Sequence, residues 1–400
     1  MSDTDLSYAI GLPPEKAIEY FKGKGYAFSW DWHDTYQEAH AKAFTIAKAM
    51  RMDVLQDIRG SLQDALDNGL TFEQFRKDLE PRLRAKGWWG KKMVMDETGA
   101  GKEAQLGSPR RLRTIYETNM QSAYMAGRWK AQAENADDRP YLMYVAVLDS
   151  RTRPAHKALH GKIFHMDDPF WDSFYPPNGW KCRCRTRALT EGQAIQRYGR
   201  KPAPSGDRLS EADALVSKST GELRPVAVYK DTLTSMKISP DPGFSCNPGK
   251  AAWFPDLDKY DYDVARKYIE GGLTGPDFGA FFKGRLKGNY PVAVLSSEEM
   301  DALGSSKQTV YLSSRTLDEH KDTHPEIGIA DYQKIPDIIA RGEVYQQSDE
   351  RLIYLAEQGV LYRASLKRTG DMNENYFLSL FKTTDMKADK EVRKKFSRIR

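Results

Sequence analysis

The sequence predicts a multidomain chain with a mainly α-helical N-terminal region, a small α+β core module and a C-terminal α+β domain. Apolar residues at helical spacing prevail before residue 138, and a compact block rich in His, Cys and Trp follows them. Short β-rich runs interleaved with helical stretches then occupy the chain from about residue 256. A chain of 400 residues is also too long for one compact core. We therefore expect several domains.

The expected boundaries divide the chain into four segments. A segment rich in Pro, Gly and Ser separates the block from the last domain and is typical of an extended linker. The segments are a helical region over 1–138, a core module over 139–195, a linker over 196–255 and an α+β domain over 256–400.

The composition favours globular domains in a reducing compartment. Hydrophobic residues make up 40% of the chain and aromatic residues 11%, which suffices for packed cores. Three cysteines, two of them one residue apart, are a poor disulfide framework. No apolar run approaches the length of a membrane span, and the first 17 residues lack the basic-then-apolar pattern of a secretory signal. We expect neither a membrane partner nor secretion.

Helix boundaries are marked clearly in the first segment. Apolar residues recur at helical spacing over 33–68, and Gly69 supplies a residue suited to a left-handed C-cap. Thr71 and Gln74 form the pattern of a capping box for a second helix that continues to about Lys86. Two further elements are expected, a helix that begins at Pro109 and a buried strand over Tyr141–Leu148.

The block over Asp149–Arg187 holds the candidate metal ligands. It contains three of the seven histidines and two of the three cysteines. The spacing of His156 and His160 would place two imidazoles on one helix face, and Cys182 and Cys184 could complete a tetrahedral site. Thiolates favour a zinc-like ion, and four protein ligands would make the site structural rather than catalytic.

A second interpretation of this block needs no metal. Zinc sites usually separate their cysteines by two to four residues, whereas Cys182 and Cys184 in a strand would point to opposite faces. The alternative is a buried Cys-Arg-Cys strand, with the histidines bonded to carboxylates. The candidate carboxylates are Asp149, Asp167 and Asp168.

The C-terminal domain holds a second candidate site. His320 and His324 are again four residues apart, and Arg363, Lys367, Ser379 and Thr383 follow on predicted strands. Metal-free RNA cleavage needs a base, an acid and cations around the phosphate, and these side chains could supply them. The same residue types are also common on the surface of a sheet by chance.

The last fourteen residues are strongly basic. Residues 387–400 contain seven Lys or Arg and two acidic residues, a net charge of +5 (7 − 2), and this matches the net charge of the whole chain. Such a tail could contact phosphate, an acidic protein partner or only solvent.

Several stretches in the first two thirds of the chain resemble the Mu F-type phage head morphogenesis family, whose members are also called minor capsid or minor head proteins. The resemblance spans about residues 30–260. It implies a minor virion component associated with the portal and with head assembly. The stretches are DNGLTFEQFRKDLEPRL (67–83), RLRTIYETNMQSAYMAGR (111–128), DSRTRPAHKALHGKIF (149–164), PPNGWKCRCR (176–185) and DPGFSCNPG (241–249).

One departure from that family concerns the candidate metal site. The family commonly has a His between the double proline and the Cys-Arg-Cys motif, where this chain has Asn178, Gly179 and Trp180. If that His is a ligand in relatives, either His160 or His165 would substitute for it here, or the site would hold no metal.

The last hundred residues resemble the barnase/EndoU/colicin/RelE-like nuclease domains that phage head proteins of this type often carry. The likeness lies in HKDTHPE, in DYQKIPDII, in the VYQ strand and in the ending of the last strand from Ser379 to Thr384. It implies that His320 or His324 is the general acid–base residue. It also implies that Arg363 or Lys367 stabilises the phosphorane and that Ser379 or Thr383 holds phosphate.

Taken together, the sequence predicts a minor head protein of a tailed phage or prophage whose C-terminal domain resembles an RNase. The expected partners are the portal and other head or scaffold proteins, with RNA for the C-terminal domain and packaged DNA for the basic tail. We expect it in the virion, and in the host cytoplasm during assembly. A purely structural protein with a binding-only C-terminal domain is the first alternative, and a zinc-dependent hydrolase is the second. A structural zinc is the one cofactor considered.

Overall fold

The computed structural model describes residues 15–95, 101–218, 220–253, 255–286, 288–370, 372, 374–384 and 390–400. It divides into two compact units. The N-terminal unit contains residues up to Lys22, 28–41 and 45–255, and the C-terminal unit contains 23–27, 42–44 and 256–400. The expectations about the first 14 residues of the chain and about 387–389 of the basic tail lie outside the described residues.

The secondary structure comprises helices and several small sheets, in agreement with the predicted multidomain class. The helices are α1 (Glu15–Lys22), α2 (Met52–Asn68), α3 (Phe72–Ala85), α4 (Pro109–Ala133), α5 (Pro154–Leu159), α6 (Phe170–Phe174), α7 (Glu191–Tyr198), α8 (Pro248–Trp253), α9 (Tyr262–Leu273), α10 (Pro276–Phe282), α11 (Ser297–Leu303), α12 (Ser314–Thr323), α13 (Ile329–Tyr332), α14 (Ile335–Arg341) and α15 (Lys390–Lys395). The strands are β1 (Gly25–Tyr26), β2 (Ala43–Phe44), β3 (Lys91–Met95), β4 (Gly101–Gln105), β5 (Tyr141–Val145), β6 (Ile163–His165), β7 (Arg185–Leu189), β8 (Leu209–Leu215), β9 (Leu223–Lys230), β10 (Lys237–Ile238), β11 (Asn289–Val294), β12 (Thr309–Ser313), β13 (Glu343–Ser348), β14 (Arg351–Glu357), β15 (Leu361–Arg368), β16 (Asn375–Thr383) and β17 (Ser397–Arg398).

The predicted helix signals of the N-terminal unit are confirmed. Gly69 ends α2 in the left-handed region at φ 64°, where an L side chain would be strained. Thr71 and Gln74 form both bonds of the capping box at the start of α3. The hydroxyl of Ser108 accepts the N–H of Arg111 at 3.2 Å and caps α4, which begins at the predicted proline.

The prediction of one helix over 33–68 is wrong in its first half. Residues 37–41 form a short 3-10 helix, and α2 begins only at Met52. The Asp34 carboxylate accepts the backbone N–H groups of Trp30 and Asp31 at 2.7 Å each, which favours a turn over a helix. Lys48 then adopts φ 62°, a left-handed conformation that no helix can include.

The core module is a three-stranded antiparallel sheet in the order β6-β5-β7. Its core is dominated by aromatic side chains that are fully buried, because α6 turns three of its five residues inward. Burial of each such ring contributes roughly 2 kcal/mol or more to stability. The largest members are Phe170, Trp171, Phe174, Tyr175, Tyr144 and Tyr229.

The prediction of an extended linker over 196–255 is wrong. This segment forms an antiparallel sheet of β8, β9 and β10 within the N-terminal unit. Tyr229 of β9 enters the aromatic core, and the buried Asp231 accepts a hydrogen bond from Lys162. The Pro and Gly residues mark turns between strands; for example, Gly221 between β8 and β9 adopts φ 73°.

The C-terminal unit is built on a seven-stranded sheet in the order β11-β12-β16-β15-β14-β13-β17. Only the β12–β16 pair is parallel. The short β-rich runs and interleaved helical stretches expected from about residue 256 correspond to strands of this sheet and to helices that include α12 and α14.

Two short segments from early in the chain belong to the C-terminal unit. Strands β1 and β2 pair in parallel, and both contact α9. A Cβ added at Gly25 would lie 1.9 Å from the carbonyl oxygen of Gly271, so only glycine allows this approach. The hydroxyl of Thr274 accepts the N–H of Tyr26 at 2.9 Å.

Most of the basic tail is folded. Strand β17 pairs with β13, which places Arg398 opposite Tyr345. Arg393 donates to Glu343 at 3.0 Å, and Arg400 lies 3.2 Å from the buried Glu299. Part of the positive charge is therefore neutralised within the C-terminal unit. In the part of the chain that the structure describes, no helix has the length and apolar character needed to cross a membrane.

Candidate metal centre and histidine sites

The loop from β5 to α5 positions His156. Asp149 accepts two hydrogen bonds from the Arg183 guanidinium, at 2.8 and 2.6 Å, and one from the N–H of Arg151 at 3.1 Å. The Arg183 contact holds the pKa of this carboxyl well below its usual range. Pro154 then begins α5, and His156 lies on its buried side. The Asp149–Arg183 pair therefore ties the start of this loop to the Cys-Arg-Cys segment.

The two cysteines lie before β7 rather than within it. Lys181 adopts φ 60°, and the N–H of Cys182 donates to the carbonyl of Gly179 at 3.1 Å, so a turn ends immediately before the first cysteine. The buried amide of Gln121 from α4 donates to the Cys184 carbonyl at 2.7 Å. The expectation that the two thiols point to opposite faces is wrong, because the segment is irregular and not a strand.

Three of the four predicted metal ligands come together. His156, Cys182 and Cys184 offer ligand atoms that all lie within 4.8 Å of one another, and all three residues are buried. The Nδ1 atom of His156 lies 3.7 Å from the Cys182 sulfur and 3.6 Å from the Cys184 sulfur. Among the described residues, this is the one such group of three or more His, Cys or acidic residues.

The two thiols differ in their electrostatic settings. Burial opposes ionisation of Cys182, but hydrogen bonds from the Cys184 thiol and His156 hold the pKa of Cys182 well below its usual value. The hydrogen bond to the Cys182 sulfur, together with burial, raises the pKa of the Cys184 thiol.

The other two histidines of the block lie elsewhere. His160 is exposed, follows the last residue of α5, and accepts the N–H of Ala146 at its Nδ1 atom, at 3.2 Å. His165 is half exposed and lies 3.5 Å from the Asp167 carboxylate. Neither histidine belongs to the group formed by His156, Cys182 and Cys184.

Sequence reasoning missed two residues that line this group. The Tyr144 hydroxyl is buried and donates to the Asn178 side-chain oxygen at 2.8 Å. The backbone N–H of Asn178 donates to the Cys182 sulfur and helps to lower the pKa of that thiol. The Asn-Gly dipeptide at 178–179 is a turn signal that could have placed the first cysteine outside a strand. No sequence signal pointed to Tyr144.

In the C-terminal unit, His320 is occupied by structural contacts. Its Nε2 atom accepts the N–H of Leu380 at 3.2 Å, so the neutral ring must carry its proton on Nδ1. That atom lies 2.6 Å from the Tyr332 hydroxyl. Strand β12 pairs with β16 only at 375–376, and His320 supplies a partner to the edge of β16 beyond that point. Burial and the neighbouring His324 lower the pKa of His320.

His324 has a different setting. Its side chain is 35% exposed, and its Nδ1 atom lies 3.2 Å from the Glu326 carboxylate. Its ring contacts the ring of Phe381 edge to face, at 6.4 Å between centroids, and the Arg363 guanidinium lies 5.2 Å from the same Phe381 ring. The structure therefore places His324 and Arg363 against one aromatic side chain and Glu326 beside the His324 imidazole.

The other predicted catalytic residues are only partly close to that cluster. Ser379 and Thr383 are on the same strand as Phe381 at two-residue intervals, so all three share one face of the sheet. Lys367 is four residues from Arg363 along β15, roughly 13 Å away by strand geometry, and it lies 3.8 Å from Glu350. The structure therefore separates Lys367 from His324.

Sequence reasoning also missed a charged network on the opposite face. The buried Asp331 carboxylate accepts the Tyr362 hydroxyl at 2.7 Å and the Lys382 ammonium at 2.8 Å. Lys334 donates to the same Tyr362 oxygen at 2.9 Å. These contacts link α13 and α14 to β15 and β16, and they favour a structural role for Lys382.

Comparison with known proteins matches the part of the chain that holds the metal-ligand group to a known family model. Residues 56–187 match the model of the family described as Phage Mu protein F like protein. This part of the chain is similar to the phage Mu F-like family. It contains most of α2, all of α3 and α4, and the three grouped ligands, and the match agrees with the resemblance drawn from the sequence motifs that lie within it.

Two curated relatives extend the Mu F-like match. The putative capsid assembly protein F of Escherichia phage Mu is 46% identical over 254 residues, which are 63% of this chain and 58% of that protein. The Mu-like prophage FluMu F protein of Haemophilus influenzae is 46% identical over 231 residues, 57% of this chain and 55% of that protein. The chain spans little more than half the length of either relative. No solved structure matches it.

Proposed function

We propose that this protein acts in the head assembly of a tailed phage or prophage, as a minor component near the portal. The Mu F-like match over 56–187 carries this proposal, together with a relative that is named a putative capsid assembly protein. The partners are the portal and other head or scaffold proteins. The protein would be present in the host cytoplasm during assembly and then in the virion.

The N-terminal unit supports an architectural role in assembly. Its matched segment contains a module with a continuous aromatic core and the Asp149–Arg183 pair that fixes its loop. The grouped side chains of His156, Cys182 and Cys184 are buried, which is typical of a group that stabilises a fold. Asp149, at the start of that loop, is held by Arg183 and is not poised as a base.

Deletion of the gene from an inducible prophage, with complementation in trans, tests the assembly role. We expect the deletion to abolish infectious particles and to leave empty or aberrant heads in electron micrographs, and the wild-type chain to restore filled heads. The His324→Ala variant is the matched control, because it alters the C-terminal unit alone and should restore heads as the wild type does. Normal yields of filled heads in the deletion strain would overturn the proposal.

Copy number tests the placement near the portal. Quantitative mass spectrometry of purified virions should give a small number of copies relative to the major shell protein. Hundreds of copies per particle would instead identify a shell component, and complete absence from both virions and assembly intermediates would exclude a head protein.

RNA cleavage by the C-terminal unit is a second candidate function, and one observation favours it. His324 and Arg363 both lie against Phe381, and the Glu326 carboxylate lies beside the His324 imidazole, which supplies a proton carrier, a carboxylate and a cation. In this arrangement His324 transfers the proton and Arg363 stabilises the charge that develops on phosphate. His320 is unsuited to proton transfer because both of its nitrogens are bonded within the fold.

An RNA cleavage assay on the full chain, with and without chelator, tests this function. We expect cleavage in chelator and a loss of roughly 10²-fold or more in the His324→Ala variant, as for removal of a general acid–base group. Lys367→Ala is the matched control, because it removes a cation on the same strand outside the His324 cluster. Equal activity in the His324→Ala and wild-type chains would refute the assignment, and absence of cleavage would favour a binding-only domain.

A further inference from the structure

We propose that His156, Cys182 and Cys184 bind one thiophilic divalent ion of the zinc type, which joins α5 to the segment before β7. The site lies within the Mu F-like part of the chain, and it does not depend on the proposed functions. It uses three protein ligands, not the four that the sequence suggested, because His160 accepts a backbone bond from Ala146 instead.

The distances fit tetrahedral coordination. Zinc bonds of about 2.3 Å to sulfur and about 2.05 Å to nitrogen, at the tetrahedral angle, separate the two ligand atoms by about 3.6 Å. The Nδ1 atom of His156 lies 3.7 and 3.6 Å from the two sulfurs. All three atoms lie within 4.8 Å of one another, so one ion can reach each of them without a backbone rearrangement.

The charge of the group also suits a cation. Two thiols and an imidazole are buried together, and the nearest cation on the same segment, Arg183, is already paired with Asp149. Cysteines bind zinc as thiolates, so two thiolates would balance the two positive charges of the ion. Soft thiolate ligands select zinc over magnesium or calcium.

The role of the ion is structural. The described residues place no carboxylate among the grouped ligands, and Asp149 is held by Arg183. The described His, Cys and acidic residues supply no fourth ligand, so the structural role is inferred from the burial of all three ligands and from the absence of a free carboxylate base beside them. The ion would hold the turn that ends at Cys182 against the helix that carries His156, beside the Tyr144 hydroxyl and the aromatic core.

Metal analysis of the full chain, purified under reducing conditions, tests this site directly. We expect one zinc per chain by mass spectrometry of the metal. After removal and replacement by Co²⁺, we expect the near-ultraviolet charge-transfer band of cobalt–thiolate bonds and the strong visible bands of tetrahedral cobalt. X-ray absorption of the zinc form should show two sulfur neighbours per ion. These measurements need no variant, so a folding defect cannot obscure them.

Variants assign the ligands. Cys182→Ser, Cys184→Ser and His156→Ala should each lose most of the bound ion, whereas His160→Ala and Cys246→Ser should retain it. The two controls remove a histidine and a buried cysteine that lie outside the grouped ligands. An absence of both zinc and the cobalt–thiolate band in the wild-type chain would overturn the proposal, as would a full complement of metal in the Cys182→Ser, Cys184→Ser double variant.

Discussion

The two histidine pairs of this chain have the same spacing, but different members of the two pairs accept a hydrogen bond from the backbone. In the N-terminal unit, the second member, His160, accepts the N–H of Ala146, and His156 faces two thiols. In the C-terminal unit, the first member, His320, accepts the N–H of Leu380. His324 then lies beside the Glu326 carboxylate and against the Phe381 ring.

The difference shows that helical spacing alone does not define a site. Each helix ends immediately before the second histidine, since α5 stops at Leu159 and α12 at Thr323. In both pairs one imidazole satisfies a backbone N–H beside a strand, and the other is left with side-chain partners. Whether a histidine can bind a metal or carry a proton therefore depends on the strand that lies beside it.

The largest effect on stability should come from the His320→Ala variant. Removal of the His320 imidazole leaves the buried Tyr332 hydroxyl and the Leu380 N–H without that partner. Each unsatisfied buried group lowers the free energy of unfolding by roughly 1–3 kcal/mol. We expect the C-terminal unit to lose about 3 kcal/mol of unfolding free energy. Hydrogen exchange of peptides from β16, measured on the full chain, reports this loss locally.

His324→Ala is the control for that experiment. Its side chain is partly exposed, so its removal should leave the protection of β16 close to that of the wild type. If His320→Ala and His324→Ala had equal effects on exchange, His320 would not be the edge partner of β16, and the contrast within this pair would fail.

A smaller effect should follow from acidification. Burial and His324 lower the pKa of His320 from its ordinary value of 6.5. The unfolded chain therefore binds a proton that the folded chain rejects, and stability that is present above pH 6.5 falls as the pH drops toward 5. The protection factors of β16 amides, which correct for the pH dependence of intrinsic exchange, should fall across this window. The Asp149–Arg183 contact should persist there, since the pKa of that carboxyl is lowered and its contribution is lost only below about pH 4.

The His320→Ala variant provides the check on this pH dependence. Without the imidazole, the change in β16 protection between pH 7 and pH 5 should shrink relative to the wild type. A change of the same size in the variant would assign the pH dependence to other groups of the C-terminal unit, and the lowered pKa of His320 would then have no measurable consequence.

Local signals in the sequence predicted much of the fold. Gly69, the Thr71–Gln74 capping box and Pro109 act through bonds to their own neighbours, so each boundary could be placed without knowledge of the rest of the chain. The strands of the C-terminal sheet were found because their apolar residues are dense and β-branched or aromatic.

Features that depend on distant contacts could not be predicted in the same way. The segment 196–255 looks like a linker by composition, and only the burial of Tyr229 and Asp231 shows that it is a sheet. The same holds for β1 and β2, which belong to the C-terminal unit although they occur in the first fifty residues. The fold of the basic tail likewise depends on a distant contact, the pairing of β17 with β13.

The candidate sites were predicted by residue type more reliably than by geometry. Three of the four metal ligands lie together, because the turn at Lys181 brings two thiols to one imidazole. Among the catalytic candidates, His324 and Arg363 meet around Phe381, whereas His320 has become a structural partner of β16. No sequence pattern predicts which imidazole will accept a hydrogen bond from a backbone N–H.

The smallest stability effect should come from His160→Ala, and it tests the N-terminal half of the comparison. This histidine is exposed, and its loss returns the Ala146 N–H to partial contact with water, so we expect a cost of about 0.5–1 kcal/mol. Hydrogen exchange should show faster opening at the end of β5 and little change elsewhere. The metal content of the variant should match that of the wild type, because the Ala146 bond, and not an ion, occupies this ring. Loss of metal together with a larger loss of stability would mean that His160 is a ligand. The two histidine pairs would then no longer share the feature that one imidazole in each accepts a backbone N–H.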